Sequence, residues 1–154
     1  MKRGFAPACW RLPPYPCYGC AVATQELLVT EIFHSLQGET SLSGLPFAFI
    51  RLTGCNLRCT YCDSAYAFHG GKKLSIEAIL ETIAPYGVKH VLLTGGEPLL
   101  QRPSPELVKR LGAAGYQVSI ETHGEVSIAE VAEHARIVMD VKTGEVWALS
   151  SLPD

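Results

Sequence analysis

The sequence predicts an α/β protein on a parallel sheet, for two reasons. Short apolar runs alternate with helical segments of about a dozen residues, the pattern of βαβ units. The polar or glycine-rich residues fall just where those runs end. At 154 residues the chain has enough apolar surface for one core rather than two. A hydrophobic fraction of 47% with 18% charged residues excludes a disordered chain.

Residues 1–24 mix Pro13, Pro14 and Pro16 with Cys, Trp and Tyr and show no period, so an irregular N-terminal extension is expected before a core domain at 25–154. Leu27–Phe33 and Phe47–Leu52 are β-prone, with Gly38, Gly44 and Pro46 supplying turns between them. Ser75 can cap a helix whose Ile76, Ile79, Leu80 and Ile83 share one face until Pro85 and Gly87 stop it. A strand at His90–Leu93 runs into Thr94-Gly95-Gly96. Ser104–Ala114 makes a helix with Leu107, Val108 and Leu111 inward and Gly115 as its stop. Gln117–Glu121 reads as a strand, Ile128–His134 as a short helix and Ile137–Val141 as a strand. Right-handed crossovers would put the strand C-terminal ends on one edge, where ligands bind in such folds. That edge would carry Gly54-Cys55, Gly95-Gly96-Glu97, Glu121-Thr122-His123 and Asp140-Val141-Lys142.

A net charge of −2 gives no electrostatic footprint for nucleic acid or an anionic membrane. No apolar run approaches the roughly 20 residues that span a bilayer. Lys2 and Arg3 are followed by prolines that interrupt any signal core, so a cytoplasmic protein is expected, with neither membrane nor nucleic acid as partner. Six cysteines without a secretory signal point to metal, redox or catalytic use rather than disulfides. Cys9, Cys17 and Cys20 lie in the extension. The other three form a nest.

Cys55-Asn-Leu-Arg-Cys59-Thr-Tyr-Cys62 is a C-x3-C-x2-C spacing in the loop after a strand. Three thiolates can ligate three irons of a [4Fe–4S] cubane and leave the fourth open, whereas clusters that only transfer electrons usually have four cysteines. The amine and carboxylate of an amino acid can chelate an open iron. If that amino acid is the methionyl part of S-adenosylmethionine, an electron from the cluster can break its sulfonium C–S bond and release a 5′-deoxyadenosyl radical. Zinc is the competing reading: it wants four ligands, and Cys17 and Cys20 with Cys59 or Cys62 could supply them. Inert buried thiols are a third.

The nest, followed by Thr94-Gly95-Gly96-Glu97-Pro98, resembles the radical S-adenosylmethionine superfamily. There the Gly-Gly-Glu-Pro segment meets the methionyl amine; the glycines allow close backbone approach, and Glu97 or a carbonyl can accept from the ammonium. Glu31-Ile-Phe-His-Ser-Leu36-Gln37-Gly38-Glu39, Phe49-Ile-Arg51-Leu-Thr-Gly-Cys55 and Cys62-Asp63-Ser64-Ala-Tyr66-Ala-Phe68 are similar to the 7-carboxy-7-deazaguanine synthase family over residues 27–142.

That resemblance implies a partial (βα) barrel with a parallel sheet, acting on 6-carboxy-5,6,7,8-tetrahydropterin to give 7-carboxy-7-deazaguanine and ammonia, on the route to queuosine. It implies a [4Fe–4S] cluster, S-adenosylmethionine, Mg2+, a homodimer, and a reductant such as flavodoxin or ferredoxin. Residue by residue it implies that Cys55, Cys59 and Cys62 hold the cluster. Leu36, Gln37, Gly38, Arg51 and Thr94 meet the substrate, Arg51 taking its carboxylate. Tyr61, Cys62, Asp63, Gly96, Asp140, Val141 and Lys142 meet S-adenosylmethionine, with Glu121 and His123 as further contacts. Ser64 stands where the family has a threonine that ligates magnesium, and keeps the hydroxyl. After Thr143 the family continues with more strands and helices, so the last part of the usual domain is expected to be lacking, leaving an exposed sheet edge. A radical-generating activase of a protein partner would share the nest but leave Leu36-Gln37-Gly38 and Asp63-Ser64 unexplained; an inactive iron–sulfur or zinc-binding remnant is the third reading, favoured if no S-adenosylmethionine binds.

Overall fold

The computed structural model describes residues 25–144 and the backbone of 146–148. The expectations on residues 1–24, with Cys9, Cys17 and Cys20, lie outside the described residues. In chain order the elements are β1 (Glu26–Leu36), β2 (Pro46–Leu52), β3 (Leu57–Cys59), β4 (Lys72–Ser75), α1 (Ile76–Ile83), β5 (His90–Gly95), α2 (Ser104–Ala113), β6 (Gln117–Thr122), β7 (Arg136–Met139) and β8 (Val146–Ala148).

Six strands form one sheet in the order β4-β1-β2-β5-β6-β7, and β3 pairs with β8 apart from it. Strands β2, β5, β6 and β7 run parallel, which is the expected βα arrangement of a partial barrel. Strand β1 pairs antiparallel with β2, and β4 pairs antiparallel with β1, so β1 alone runs against the others. The short connection 37–45 explains the first: it can close a hairpin, but a parallel return needs a crossover of a dozen or more residues.

Both helices cover the same face. Ser75 caps α1 as expected, its Oγ accepting from Ala78 N–H at 3.1 Å. A 3₁₀ turn over Ala84–Tyr86 ends at Gly87, whose φ of 65° suits glycine. Ile76, Ile79 and Ile83 of α1 and Leu107, Val108 and Leu111 of α2 pack on Ala48, Ile50, Leu52, Val91, Leu93, Val118 and Ile120 of the sheet. The opposite face holds a smaller apolar group, Phe47, Phe49 and Leu92 with Phe33 and Leu42. None of the described helices is long and apolar enough to cross a membrane.

A bulge in β1 sets which residues reach that second face. The register with β2 shifts between Val29 and Glu31, so Val29 pairs with Leu52 and Glu31 with Arg51. One extra residue, Thr30, inverts the alternation. Leu27 and Val29 before the bulge and Ile32 after it therefore all join the helix-side core.

Two expectations are corrected. Ile128–His134 is a pair of turns, not a helix: Ala132 and Ala135 N–H reach Ile128 and Val131 O, but no continuous ladder forms. Only Val131 on that stretch is fully buried, too little packing to offset the cost of nucleating a helix this short. The cysteine nest is likewise not all loop, because Leu57–Cys59 pairs as a strand with β8.

Candidate active site

Pairing across the sheet builds a polar row on the face without helices. Glu31 of β1 lies opposite Arg51 of β2, and Arg51 beside Thr94 of β5. Thr94 Oγ1 donates to Glu121 Oε2 of β6 at 3.0 Å. Two residues on from Glu31 in β1, and two back from Arg51 and Thr94 in β2 and β5, lie Phe33, Phe49 and Leu92, an apolar patch in which the Phe33 and Phe49 rings stack at 4.8 Å. Above both rows a cavity of about 380 Å3 opens at the strand C-terminal ends.

Cys55, Cys59, Cys62, Asp63 and Ser64 line one side of this cavity; Leu36, Gln37 and Gly38 line it, as do Arg51, Thr94 and Gly96. Glu121, His123, Asp140 and Lys142 complete it. Tyr61 and Val141 stand outside, 50% and 70% exposed. The Lys142 ammonium lies 6.0 Å from the Tyr61 ring centre. Val141 is out because β7 ends at Met139; Asp140 leaves the ladder with its N–H on Thr122 O at 2.9 Å.

The three thiols are free. Leu57 N–H donates to Cys55 Sγ at 3.4 Å, and Arg58 holds the loop by donating to Cys55 O at 3.0 Å and Leu57 O at 2.7 Å while its guanidinium lies 4.1 Å from the Phe68 ring centre. Burial pushes the Cys55 and Cys59 thiols above their ordinary range, with the Leu57 N–H opposing this at Cys55 and the Lys142 ammonium opposing it at Cys59. Cys62 Sγ and Ser64 Oγ are 3.8 Å apart.

The glycine pair packs under this loop. A Cβ on Gly95 would lie 2.2 Å from Leu52 O, and one on Gly96 2.2 Å from Gly54 O and 2.8 Å from Cys55 Cβ. Glu97 N–H then bonds Gly54 O at 2.8 Å. These glycines let the end of β5 lie against the residues that lead into the nest, a closer reason for them than approach to a ligand.

Glu97 departs from expectation. Its carboxylate is fully buried and turned away from the cavity, accepting from Thr122 Oγ1, His123 N–H and Leu99 N–H at 2.9–3.0 Å. A ligand's ammonium in the cavity would meet backbone there, not this side chain. The His123 ring is held on the same side, its Nδ1 3.2 Å from Glu125 N and its Nε2 2.9 Å from Asn56 Oδ1 and 3.3 Å from Glu97 Oε2.

Electrostatics separate the two carboxylates of the polar row. The Tyr66 hydroxyl bond and the Arg51 guanidinium hold Glu31 below its ordinary value against the opposing effect of burial. Burial pushes Glu121 up, with the Thr94 hydroxyl bond and Arg51 opposing it. For Lys142, burial works downward, but Asp140 outweighs it and leaves the ammonium raised.

Sequence reasoning overlooked Glu31 as a cavity-face residue and the stacked Phe33 and Phe49. The alternation Glu31, Phe33, Ser35 was a usable signal, though the bulge before it is not visible in sequence.

The chain matches the Radical SAM superfamily over residues 49–145. It is 50% identical over 118 residues to the 7-carboxy-7-deazaguanine synthase of Koribacter versatilis, covering 74% of this chain and 51% of that protein. To the synthase so named in Thermoplasma acidophilum it is 43% identical over 115 residues, covering 75% and 55%. To that of Methanospirillum hungatei it is 41% identical over 138 residues, covering 87% and 59%. The chain thus spans about half the length of these curated relatives. The crystal structure of QueE from Escherichia coli matches with a TM-score of 0.70 at 26% identity, over 78% of this chain and 63% of that one. The matched span holds both the cysteine loop and the Gly95-Gly96 strand end packed beneath it, and the chain belongs to the Radical SAM superfamily.

Proposed function

We propose that this chain acts as a 7-carboxy-7-deazaguanine synthase, converting 6-carboxy-5,6,7,8-tetrahydropterin to 7-carboxy-7-deazaguanine with loss of ammonia. The superfamily implies a [4Fe–4S] cluster and S-adenosylmethionine, and the residues present fit both. Three free thiols face one cavity, and an N–H···S bond already orients Cys55. Among the described residues no three His, Cys, Asp or Glu side chains converge as on a lone metal ion; a cubane does not require it, since each thiolate takes a different iron. Burial that disfavours the bare thiolates is offset once iron takes the proton's place.

The observation that carries the substrate assignment is Arg51. Its Nε is engaged by Glu31, among the described residues no protein acceptor meets its terminal nitrogens, and Arg51 lines the same cavity as the cysteines. A planar fork in that setting suits the carboxylate of the pterin. Phe33 and Phe49 offer an apolar surface for the ring, and Thr94, Glu121, Gln37 and Gly38 supply polar contacts. Held by Cys55, Cys59 and Cys62, a cluster would supply the electron for reductive cleavage of S-adenosylmethionine. Gly96, Asp63, Asp140 and Lys142 line the space for that cofactor, while Tyr61 and Val141 could meet it only from outside the cavity. Ser64 offers a hydroxyl that would suit Mg2+, a hard cation that takes oxygen ligands. A homodimer and an electron donor of the flavodoxin or ferredoxin kind complete the proposal.

The test is anaerobic cluster reconstitution followed by turnover with the carboxypterin, S-adenosylmethionine and Mg2+. Product and a reducible cluster signal are expected from the chain, and loss of both from Cys62→Ala. Normal product formation by that variant would sink the cluster role.

A further inference from the structure

We infer that Glu31, itself held by Tyr66, is a positioning residue that fixes Arg51 as a preformed receptor for the substrate's carboxylate. This rests on the reading that Arg51 takes that carboxylate.

Three elements meet at one oxygen. Glu31 Oε1 of β1 accepts from Arg51 Nε of β2 at 2.7 Å and from Tyr66 Oη at 2.8 Å. Tyr66 belongs to the 3₁₀ turn Ala65–Phe68, and the guanidinium lies 5.7 Å from its ring centre. Nε–H is the donor that an end-on carboxylate does not use. Engaging it locks the plane of the fork and leaves both terminal nitrogens for a bidentate ligand. An arginine left loose would have to give up its rotamer freedom on binding, so locking it beforehand strengthens binding without a new contact.

The same arrangement explains two features that stability does not. The Arg51–Glu31 pair is partly exposed, with 19% and 40% of the side chains accessible, so its stabilising effect is small. The β1 bulge, pinned by the 2.6 Å contact between the Thr30 and Thr53 hydroxyls, turns Glu31 from the helix face to the cavity face. On the far side of Arg51, Thr94 occupies Glu121 Oε2. One neighbouring carboxylate thus grips the guanidinium side-on, and the other is bonded elsewhere and leaves its end open. Tyr66 also follows Ser64 by two residues, so the receptor is registered to the segment leaving the cysteine nest.

The test uses the reconstituted full chain with S-adenosylmethionine, titrated anaerobically with the carboxypterin and with the same tetrahydropterin lacking its carboxylate. Glu31→Ala is expected to weaken the first about tenfold and leave the second unchanged, a selectivity that general loosening of the fold does not produce. Glu31→Gln, which keeps an acceptor for Nε–H, should recover most of the loss. Tyr66→Phe, which removes only the hydroxyl, should weaken the carboxylated ligand about threefold. In turnover the effect should fall on KM, with kcat within about twofold. Wild-type affinity in Glu31→Ala, or equal loss of both ligands, overturns the positioning role if Arg51→Ala is itself selective for the carboxylate. If Arg51→Ala shows no such selectivity, the reading of Arg51 falls first and takes the proposal with it.

Discussion

Gly96 shows at the scale of one residue how the fold makes room for its chemistry. With Gly54 O at 2.2 Å and Cys55 Cβ at 2.8 Å from where a Cβ would stand, Gly96→Ala must push the end of β5 away from the nest. Iron bound after reconstitution is expected to drop severalfold, and unfolding free energy to fall by about 1–3 kcal/mol. Gly112→Ala on α2, with nothing within 4 Å, is the contrasting control and should gain up to about 1 kcal/mol in helix propensity. Glu31 allows a second check. Its pKa in the folded chain is below the ordinary 4.5, chiefly through the Tyr66 hydroxyl bond. Its contribution to stability is therefore fully present above about 4.5 and lost as pH falls through the lowered value. A carbon NMR titration of the Glu31 carboxyl should find a midpoint under 4.5, moving upward in Tyr66→Phe. Glu121 has the opposite sign: raised by burial, it lowers stability as pH rises through its folded value. At this scale residue type was legible and orientation was not. That Arg51 serves a carboxylate was an expectation carried by the family resemblance, since an arginine at a strand end is by chemistry alone as much a surface charge as a receptor. That Glu97 faces the interior depends on Thr122 and His123, which only the fold brings to it.

Elements differ in how openly the sequence declares them, and length is the physical reason. Helices α1 and α2 run long enough for an apolar stripe to repeat, so Ile76, Ile79 and Ile83 or Leu107 and Leu111 announce a buried face. Strand β3 has three residues, the last of them Cys59 of the nest, and is too short to carry a period. The stretch 128–134 has a helical pattern but too few buried partners, so packing overrides propensity. Strands β1 and β2 were legible as strands, while their antiparallel pairing follows from the short loop between them. Gln101 illustrates a link between elements that no pattern signals. Its side chain accepts from Leu28 N–H at 2.8 Å and donates to Leu28 O at 2.9 Å and Thr53 O at 3.0 Å, tying the segment after β5 to β1 near its bulge and to the residue before Gly54-Cys55. Gln101→Ala strands those backbone groups and is expected to cost about 1–3 kcal/mol in urea unfolding, with loosened iron binding. Ser75→Ala removes only a half-buried helix cap far from the nest in sequence and should cost about 1 kcal/mol while leaving iron binding intact.

Across the whole molecule the sheet divides stability from function between its faces. The helix face buries one continuous apolar cluster, whereas the other carries the polar row, the stacked phenylalanines and the cavity. Adjacent residues of β5 test the division directly. Leu93 points to the helix-side core and Leu92 to the cavity side, both essentially without solvent exposure. Leu93→Ala opens a dry void among packed side chains, where loss of transfer energy and the cavity penalty add, and about 2–5 kcal/mol of stability should go. Leu92→Ala removes the same atoms, but the space joins a cavity that is already open. Its cost should stay near the transfer contribution, about 2 kcal/mol. The ligand effects should run the other way. Widening the apolar patch beside Phe49 should weaken the pterin with and without its carboxylate alike, because ring packing and not the Arg51 fork is disturbed. Leu93→Ala should leave both affinities near wild type at temperatures where the variant is folded. Equal effects of the two substitutions on stability and on binding would mean that the faces are coupled through the sheet, and the separation argued from the β1 bulge would fail.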